Sequence, residues 1–61
     1  MKVKEFVNTW VSVYPVCLYD GEVFLCETTT DNILVSSDEY FGTRDVKSTD
    51  ISYDDRLIIT L

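Results

Sequence analysis

The chain has 61 residues, a formal charge of −6 and no histidine. A chain this short builds a single domain and buries only about 60% of its unfolded surface, so added stability from a partner chain, a metal or a disulfide is worth looking for. Without histidine, Ser-His-Asp triads, Cys-His dyads and His-based zinc sites are excluded within one chain. The hydrophobic content of 46% predicts a folded domain and not a disordered acidic tail.

Cys17 and Cys26 are the only cysteines, too few for a four-cysteine zinc site or an iron–sulfur cluster in one chain. No apolar stretch approaches the ~20 residues of a membrane span. The beginning of the chain also lacks the apolar run of a signal peptide. We therefore expect a cytoplasmic protein with reduced thiols, no metal or other cofactor and no membrane contact.

The first predicted element is a short helix over about residues 3–10. Its apolar residues fall at i, i+3, i+4, i+7 and i+8, the spacing of one helix face: Val3, Phe6, Val7, Trp10 and Val11. A strand is the alternative, but its alternation would put Glu5 and Thr9 among the apolar residues. Pro15 prevents the helix from continuing.

The dipeptide Asp20-Gly21 predicts a first hairpin between strands over about residues 13–20 and 22–30. A two-residue turn there sets Tyr19 opposite Glu22. One face then carries Tyr14, Val16, Leu18, Val23 and Leu25, and the other carries Pro15, Cys17, Tyr19, Phe24 and Cys26. Because both faces are largely apolar, we expect the second to form a dimer or partner interface through Cys17, Tyr19, Phe24 and Cys26.

Shorter elements are predicted in the second half of the chain. Residues 33–35 suit a short strand or a segment crossing the core. Ser37 at one end and Gly42 at the other frame a one-turn helix near residues 37–41. Strands over about 46–53 and 57–61 form a second hairpin, with a three-residue loop that sets Ile51 opposite Ile59; the loop is Asp54, Asp55 and Arg56.

Together these elements predict an α+β fold, in which a short N-terminal helix packs on an antiparallel sheet of two hairpins with three to five strands. One domain covers residues 1–61. The Thr28-Thr29-Thr30-Asp31-Asn32 segment is expected to be the end of a strand followed by a loop.

The charge pattern indicates a basic protein as partner. Between Lys4 and Arg44 every charged residue is an acid, which disfavours direct binding to nucleic acid. We expect an acidic partner-binding surface formed by Asp20, Glu22, Glu27, Asp31, Asp38 and Glu39. A chain this small can hardly build a cleft around paired carboxylates, and it lacks a calcium-binding loop, so we expect no enzymatic activity.

Segments along the whole chain resemble small acidic orphan proteins of Gram-positive phages and mobile elements. The resemblance lies in Met1-Lys2-Val3-Lys4-Glu5-Phe6, Leu18-Tyr19-Asp20-Gly21, Asp45-Val46-Lys47-Ser48-Thr49-Asp50-Ile51 and Arg56-Leu57-Ile58-Ile59. It implies an accessory role in the cytosol of a host cell, where such proteins often inhibit host defence, anti-CRISPR proteins among them. No catalytic or binding residue is carried over.

Two functional hypotheses follow. In the first, the chain binds and inhibits or modulates a host protein, presenting carboxylates to a basic nucleic-acid-binding site. In the second, it is a homodimeric structural or scaffold module, and the acids serve only to keep the assembly in solution.

Overall fold

A computed structural model describes residues 1–10, 12–37 and 39–61. These residues form two helices and four strands, in chain order α1 (Val3–Val7), β1 (Pro15–Asp20), β2 (Val23–Thr29), α2 (Thr30–Val35), β3 (Ser48–Ile51) and β4 (Leu57–Thr60). The strands form a single sheet in the order β2-β1-β4-β3. The α+β class, the N-terminal helix and the two hairpins are confirmed.

The centre of the sheet differs from the expected antiparallel arrangement. The hairpins β1–β2 and β3–β4 are antiparallel, but β1 and β4 run parallel, with Val16 beside Leu57 and Leu18 beside Ile59. Burial explains the order of the strands, because apolar β4 lies inside the sheet while all four residues of β3 are exposed at its edge. The sheet is therefore mixed.

Both helices cover the same face of this sheet. Val16, Leu18, Leu57 and Ile59 point towards the helices and are at most 1% exposed. The core also contains residues from α1, α2 and the last position: Val3, Val7, Ile33 and Leu61. Full burial of one such aliphatic side chain contributes about 1.5–3 kcal/mol, so a few residues account for much of the stability of this domain.

Helix α1 is shorter than the predicted span of residues 3–10. It begins where the Lys2 N–H donates to Glu5 Oε1 at 2.8 Å, and it ends at Val7. The Trp10 N–H still bonds to the Val7 carbonyl oxygen at 3.1 Å, so a turn continues the chain beyond the helix. The predicted apolar stripe is confirmed for Val3 and Val7, which are buried, whereas Val11 lies outside the described residues.

The register predicted for the first hairpin is wrong. Asp20 pairs with Val23, so the two loop residues are Gly21 and Glu22, one position later than expected. Gly21 has a φ of +62° and Glu22 has a negative φ, as in a type II′ turn, which requires positive φ only at its first central residue. Asp20 can then remain in the strand.

A β-bulge changes the pairing further along the same hairpin. Tyr19 lies opposite Phe24, but the next pair is Leu18 with Cys26, which leaves Leu25 as an extra residue in β2. Since side chains alternate along a strand, one extra residue moves every later side chain of β2 to the other face. Cys26 and Thr28 therefore lie on the helix-covered face, and Glu27 lies on the opposite one.

The second helix lies earlier in the chain than predicted. Residues 30–35 form α2, where a strand end, a loop and a short apolar segment were expected. Ile33 is fully buried on the inner side of α2, so tertiary burial overrides the β propensity of Thr30. The predicted helix near residues 37–41 is not found in the described part of that range, because Ser37 lies in a bend and Glu39 and Tyr40 in a turn.

The second hairpin has a three-residue loop, but one position before the predicted one. Ile51 pairs with Leu57, and the loop consists of Tyr53, Asp54 and Asp55. Asp55 has a φ of +62°, which fits a turn closed by one left-handed residue. The pairing is shifted by two residues from the predicted register. Because side chains alternate between the two faces of a sheet, a shift by two leaves Ile51 and Ile59 on the face that was predicted for them.

Candidate protein-binding surface

The face of the sheet opposite the helices is open to solvent. We call it the open face, and by register it carries alternate residues of all four strands. Its members are Pro15, Cys17 and Tyr19 from β1, Phe24, Glu27 and Thr29 from β2, Ile58 and Thr60 from β4, and Ser48 and Asp50 from β3. An antiparallel or mixed sheet commonly exposes one face, but that face is usually polar.

An apolar patch extends from the centre of the open face to its β2 edge. Tyr19 and Phe24 form an edge-to-face aromatic pair with ring centroids 5.5 Å apart, and Phe24 is 53% exposed. Cys17 lies next to Ile58 in the parallel register, and both are half-buried. Three of the four residues predicted for the interface thus share this surface: Cys17, Tyr19 and Phe24.

Ile58 was missed as a member of this surface. The alternation of side chains along the last strand already placed Ile58 on the more polar face of the second hairpin. What the sequence did not reveal is that β4 lies beside β1, which brings Ile58 next to Cys17.

Cys26, the fourth predicted interface residue, lies on the other side of the sheet. It is half-buried and packs against the core. Burial, together with the nearby Cys17, raises the pKa of the Cys26 thiol. The β-bulge at Leu25 is the physical reason for the difference.

Charged residues flank the apolar centre. Arg56 forms ion pairs with Glu27 and with Asp54, the latter at 3.1 Å between Nε and Oδ2. These side chains are 41–49% exposed, so the ion pairs contribute little to stability, about 0–1 kcal/mol each. Asp50 also lies on the open face. Acids therefore outnumber bases around its apolar centre.

The predicted acidic residues do not form a single surface. Asp20 and Glu22 lie at the tip of the first hairpin, where Asp20 is 4.0 Å from Arg44. Asp31 lies beyond the other end of β2, a strand whose seven residues span about 20 Å. Glu27 lies on the open face and is paired with Arg56. Glu39 is exposed in the turn after α2, and Asp38 lies outside the described residues.

The edges of the sheet are less suited to binding than its open face. In the outer strand β3, the Ile51 N–H is already bonded to Asp50 Oδ1 at 2.8 Å. The other outer strand, β2, carries the bulge at Leu25. Short edge strands, edge charges and bulges all discourage the addition of another strand.

Two shallow grooves lie away from the open face. The helix-side groove is lined by residues of the α1–β1 connection and of α2: Trp10, Ser12, Val13, Thr30, Asp31 and Leu34. A second groove is lined by Lys2, Thr43, Arg44, Asp45, Val46, Lys47 and Leu61, and Lys2 and Asp45 form an ion pair of 3.0 Å across it. Sequence reasoning identified neither groove, because each combines residues distant in the chain.

Among the described residues, no group of three or more cysteine or acidic side chains is arranged to hold a metal ion. None of the described helices is both long and apolar enough to span a membrane. Comparison of the chain with protein-family models, with curated proteins and with solved structures found no match.

Proposed function

We propose that the chain is a non-enzymatic accessory protein of a phage or mobile element that binds and inhibits or modulates a host protein in the host cytosol. The observation that supports this proposal is the exposed Tyr19–Phe24 pair, which lies on the open face beside the turn of the first hairpin. Aromatic side chains with an apolar surrounding and a charged rim are typical of the centres of protein interfaces.

The size of the open face suits a transient complex. The strands have between four and seven residues, which is about 13–23 Å, and lie about 4.8 Å apart, so together they give a flat area on the order of 300 Å². A standard interface buries about 800 Å² on each partner. The partner is therefore expected to contact the acidic rim as well as the apolar centre.

The charge of the chain favours a basic partner. The chain carries a net charge of −6, and Glu27 and Asp50 lie on the open face. Opposite charge on the partner would accelerate association and add specificity. A nucleic-acid-handling host protein, such as a component of a defence system, has a surface of this kind.

A homodimer through the same face is the second candidate, favoured by its exposed apolar centre. Two copies would, however, bring identical acidic rims together, which costs binding energy. Sedimentation velocity over a range of micromolar concentrations distinguishes the homodimer from a chain that binds only a host protein. A concentration-dependent dimer that the substitution Phe24→Ser abolishes would support the scaffold function, and a monomer at every concentration would refute it.

The host-protein proposal is tested by affinity capture with matched variants. The wild-type chain, Phe24→Ser and the control Val35→Ser are immobilised and exposed to lysate of a Gram-positive bacterium. Val35 is an apolar residue of α2 that is 83% exposed, so its substitution removes a surface side chain away from the open face. A captured protein is then purified and its affinity measured by calorimetry.

We expect a basic host protein that binds the wild type and Val35→Ser equally and binds Phe24→Ser at least about tenfold more weakly. Its affinity for the wild type should fall as salt is raised, because the rim contributes by charge. Equal binding by Phe24→Ser, or the absence of any captured basic protein at low and high salt, would contradict the proposal.

A further inference from the structure

We propose that the helix-side groove binds one arginine side chain of a protein partner. The groove combines an indole, from Trp10, with a carboxylate, from Asp31, and with the apolar side chains of Val13 and Leu34. A guanidinium group is planar, stacks on aromatic rings and pairs with carboxylates, while its three-carbon stem packs on apolar surface. The groove offers a contact for each of these parts.

The walls of the groove are held by contacts within the chain. The Tyr14 N–H donates to Thr30 Oγ1 at 3.1 Å, and the Thr30 hydroxyl donates to the Ser12 carbonyl oxygen at 3.3 Å. The Thr30 N–H also bonds to the Tyr14 carbonyl oxygen at 3.0 Å. These bonds join the start of α2 to the α1–β1 connection, so the two walls are positioned before a ligand binds.

The indole of Trp10 is likewise fixed. It stacks on Tyr14 with centroids 4.8 Å apart and meets Phe6 edge-on at 6.4 Å. An aromatic ring that is already ordered loses little conformational freedom when a ligand packs against it.

The charge of the groove is unbalanced. Among the described residues that line it, Asp31 is the only charged one, and its carboxylate accepts a hydrogen bond from the Thr29 hydroxyl. The five lysines and arginines of the chain all lie among the described residues, and none of them lines this groove. A cation from another molecule would complete it. Both aliphatic side chains that would contact the stem are exposed, Val13 by 62% and Leu34 by 37%.

This inference does not depend on the open face. The groove is built by α2 and the segment before β1, on the helical side of the sheet. Binding of arginine at the groove and binding of a host protein at the open face can therefore succeed or fail separately.

The experiment uses two blocked tripeptides, Gly-Arg-Gly and Gly-citrulline-Gly, which differ only in that the charged guanidinium is replaced by a neutral urea. Trp10 is the only tryptophan in the chain, so its fluorescence reports directly on the groove. The proteins compared are the unaltered chain, Asp31→Asn and the control Asp45→Asn. The control removes one exposed carboxylate from the other groove and so matches the change in net charge.

We expect a saturable change in Trp10 fluorescence with the arginine peptide. The citrulline peptide should bind at least about fivefold more weakly. Asp31→Asn should weaken arginine binding by about fivefold, and Asp45→Asn should leave it unchanged. Equal responses to the two peptides, no saturable response, or equal weakening by both substitutions would overturn the proposal. The comparison of peptides uses the unaltered chain, so it decides the matter even if a variant fails to fold.

Discussion

The side chain of Lys4 lies directly over Gly42. A Cβ atom at Gly42 would be 2.7 Å from Lys4 Cγ and 2.8 Å from Lys4 Cε, closer than non-bonded carbon atoms approach. The Lys4 Nζ reaches past this point and donates to the carbonyl oxygens of Ser36 at 2.5 Å and Ser37 at 3.2 Å. Lys4 therefore connects α1 to the end of α2, and Gly42 leaves the space for it.

The substitution Gly42→Ala should destabilise the fold by about 1–2 kcal/mol, because the added methyl group displaces the stem of Lys4 from its path to Ser36. In a Lys4→Ala background the same substitution should cost much less. The free energy of unfolding in urea, measured for the four combinations, gives the coupling between the two residues. If Gly42→Ala lowered the free energy of unfolding equally in the wild type and in Lys4→Ala, Gly42 would be needed for a reason other than the space it leaves for Lys4.

Thr28 and Thr30 should respond in opposite directions to replacement by valine. Thr28 is 8% exposed and its buried Oγ1 has no hydrogen-bond partner among the described residues, whereas Thr30 Oγ1 makes two hydrogen bonds. Thr28→Val should raise the free energy of unfolding by about 1 kcal/mol, and Thr30→Val should lower it by at least that amount. Thermal and urea unfolding check both values; a loss of stability in Thr28→Val would contradict the interpretation.

The Cys26 thiol should react slowly and should make the fold sensitive to alkali. Burial raises its pKa, helped by Cys17, so less of the reactive thiolate is present in the folded chain than in the unfolded chain. In a Cys17→Ser variant, iodoacetamide should therefore modify Cys26 more slowly in the folded protein than in urea. Equal rates would contradict the burial of Cys26.

The same shift has a consequence for stability. Because the pKa is higher in the folded state, the unfolded chain loses its proton first as pH rises. The contribution of the protonated Cys26 thiol to the free energy of unfolding is fully present below the pKa of an unfolded thiol, about 8.5. It is lost as pH rises through the higher pKa of the folded state. Cys26→Ala should reduce the loss of stability over this alkaline range in urea unfolding experiments.

Asp45 should titrate at a lower pH than an ordinary aspartate. A hydrogen bond from Lys2, 3.0 Å from Asp45 Oδ1, and the positive charge of Lys2 lower the pKa of this carboxyl group. The lower pKa means that the ion pair is complete above the ordinary aspartate range and is lost as pH falls through the pKa of Asp45.

The substitution Lys2→Met should raise the pKa of Asp45 towards its ordinary value, as measured by NMR titration of the side-chain carboxyl carbon. Lys47→Met is the matched control, because Lys47 lines the same groove and its removal also deletes one positive charge. A shift of equal size in both variants would mean that the general charge of the groove, and not the bond to Lys2, lowers the pKa.

The first hairpin illustrates how far the sequence predicted the structure. The dipeptide Asp20-Gly21 located the hairpin correctly because the turn needs a positive φ, which glycine adopts at low cost. It could not determine whether glycine would occupy the first or second central position. Nor could it predict the bulge at Leu25, which depends on how β2 fits against the core.

The candidate surface was predicted in part for the same reason. Tyr19 and Phe24 lie before the bulge and share a face, as predicted, while Cys26 lies beyond it and points to the helices. Similarly, the apolar spacing of Val3 and Val7 identified α1, but Thr30 of α2 was assigned to a strand end because local propensity ignores the burial of Ile33.

The length, the charge of −6 and the absence of histidine determined that this is a small acidic domain without histidine chemistry. Local patterns also determined where α1 and both hairpins lie, since turns and amphipathic periods are encoded by near neighbours. Only the tertiary structure decided that β4 lies parallel to β1 and that Asp20 and Asp31 are far apart. These features depend on which apolar strands are buried together, a choice made by the whole core and not by any short segment.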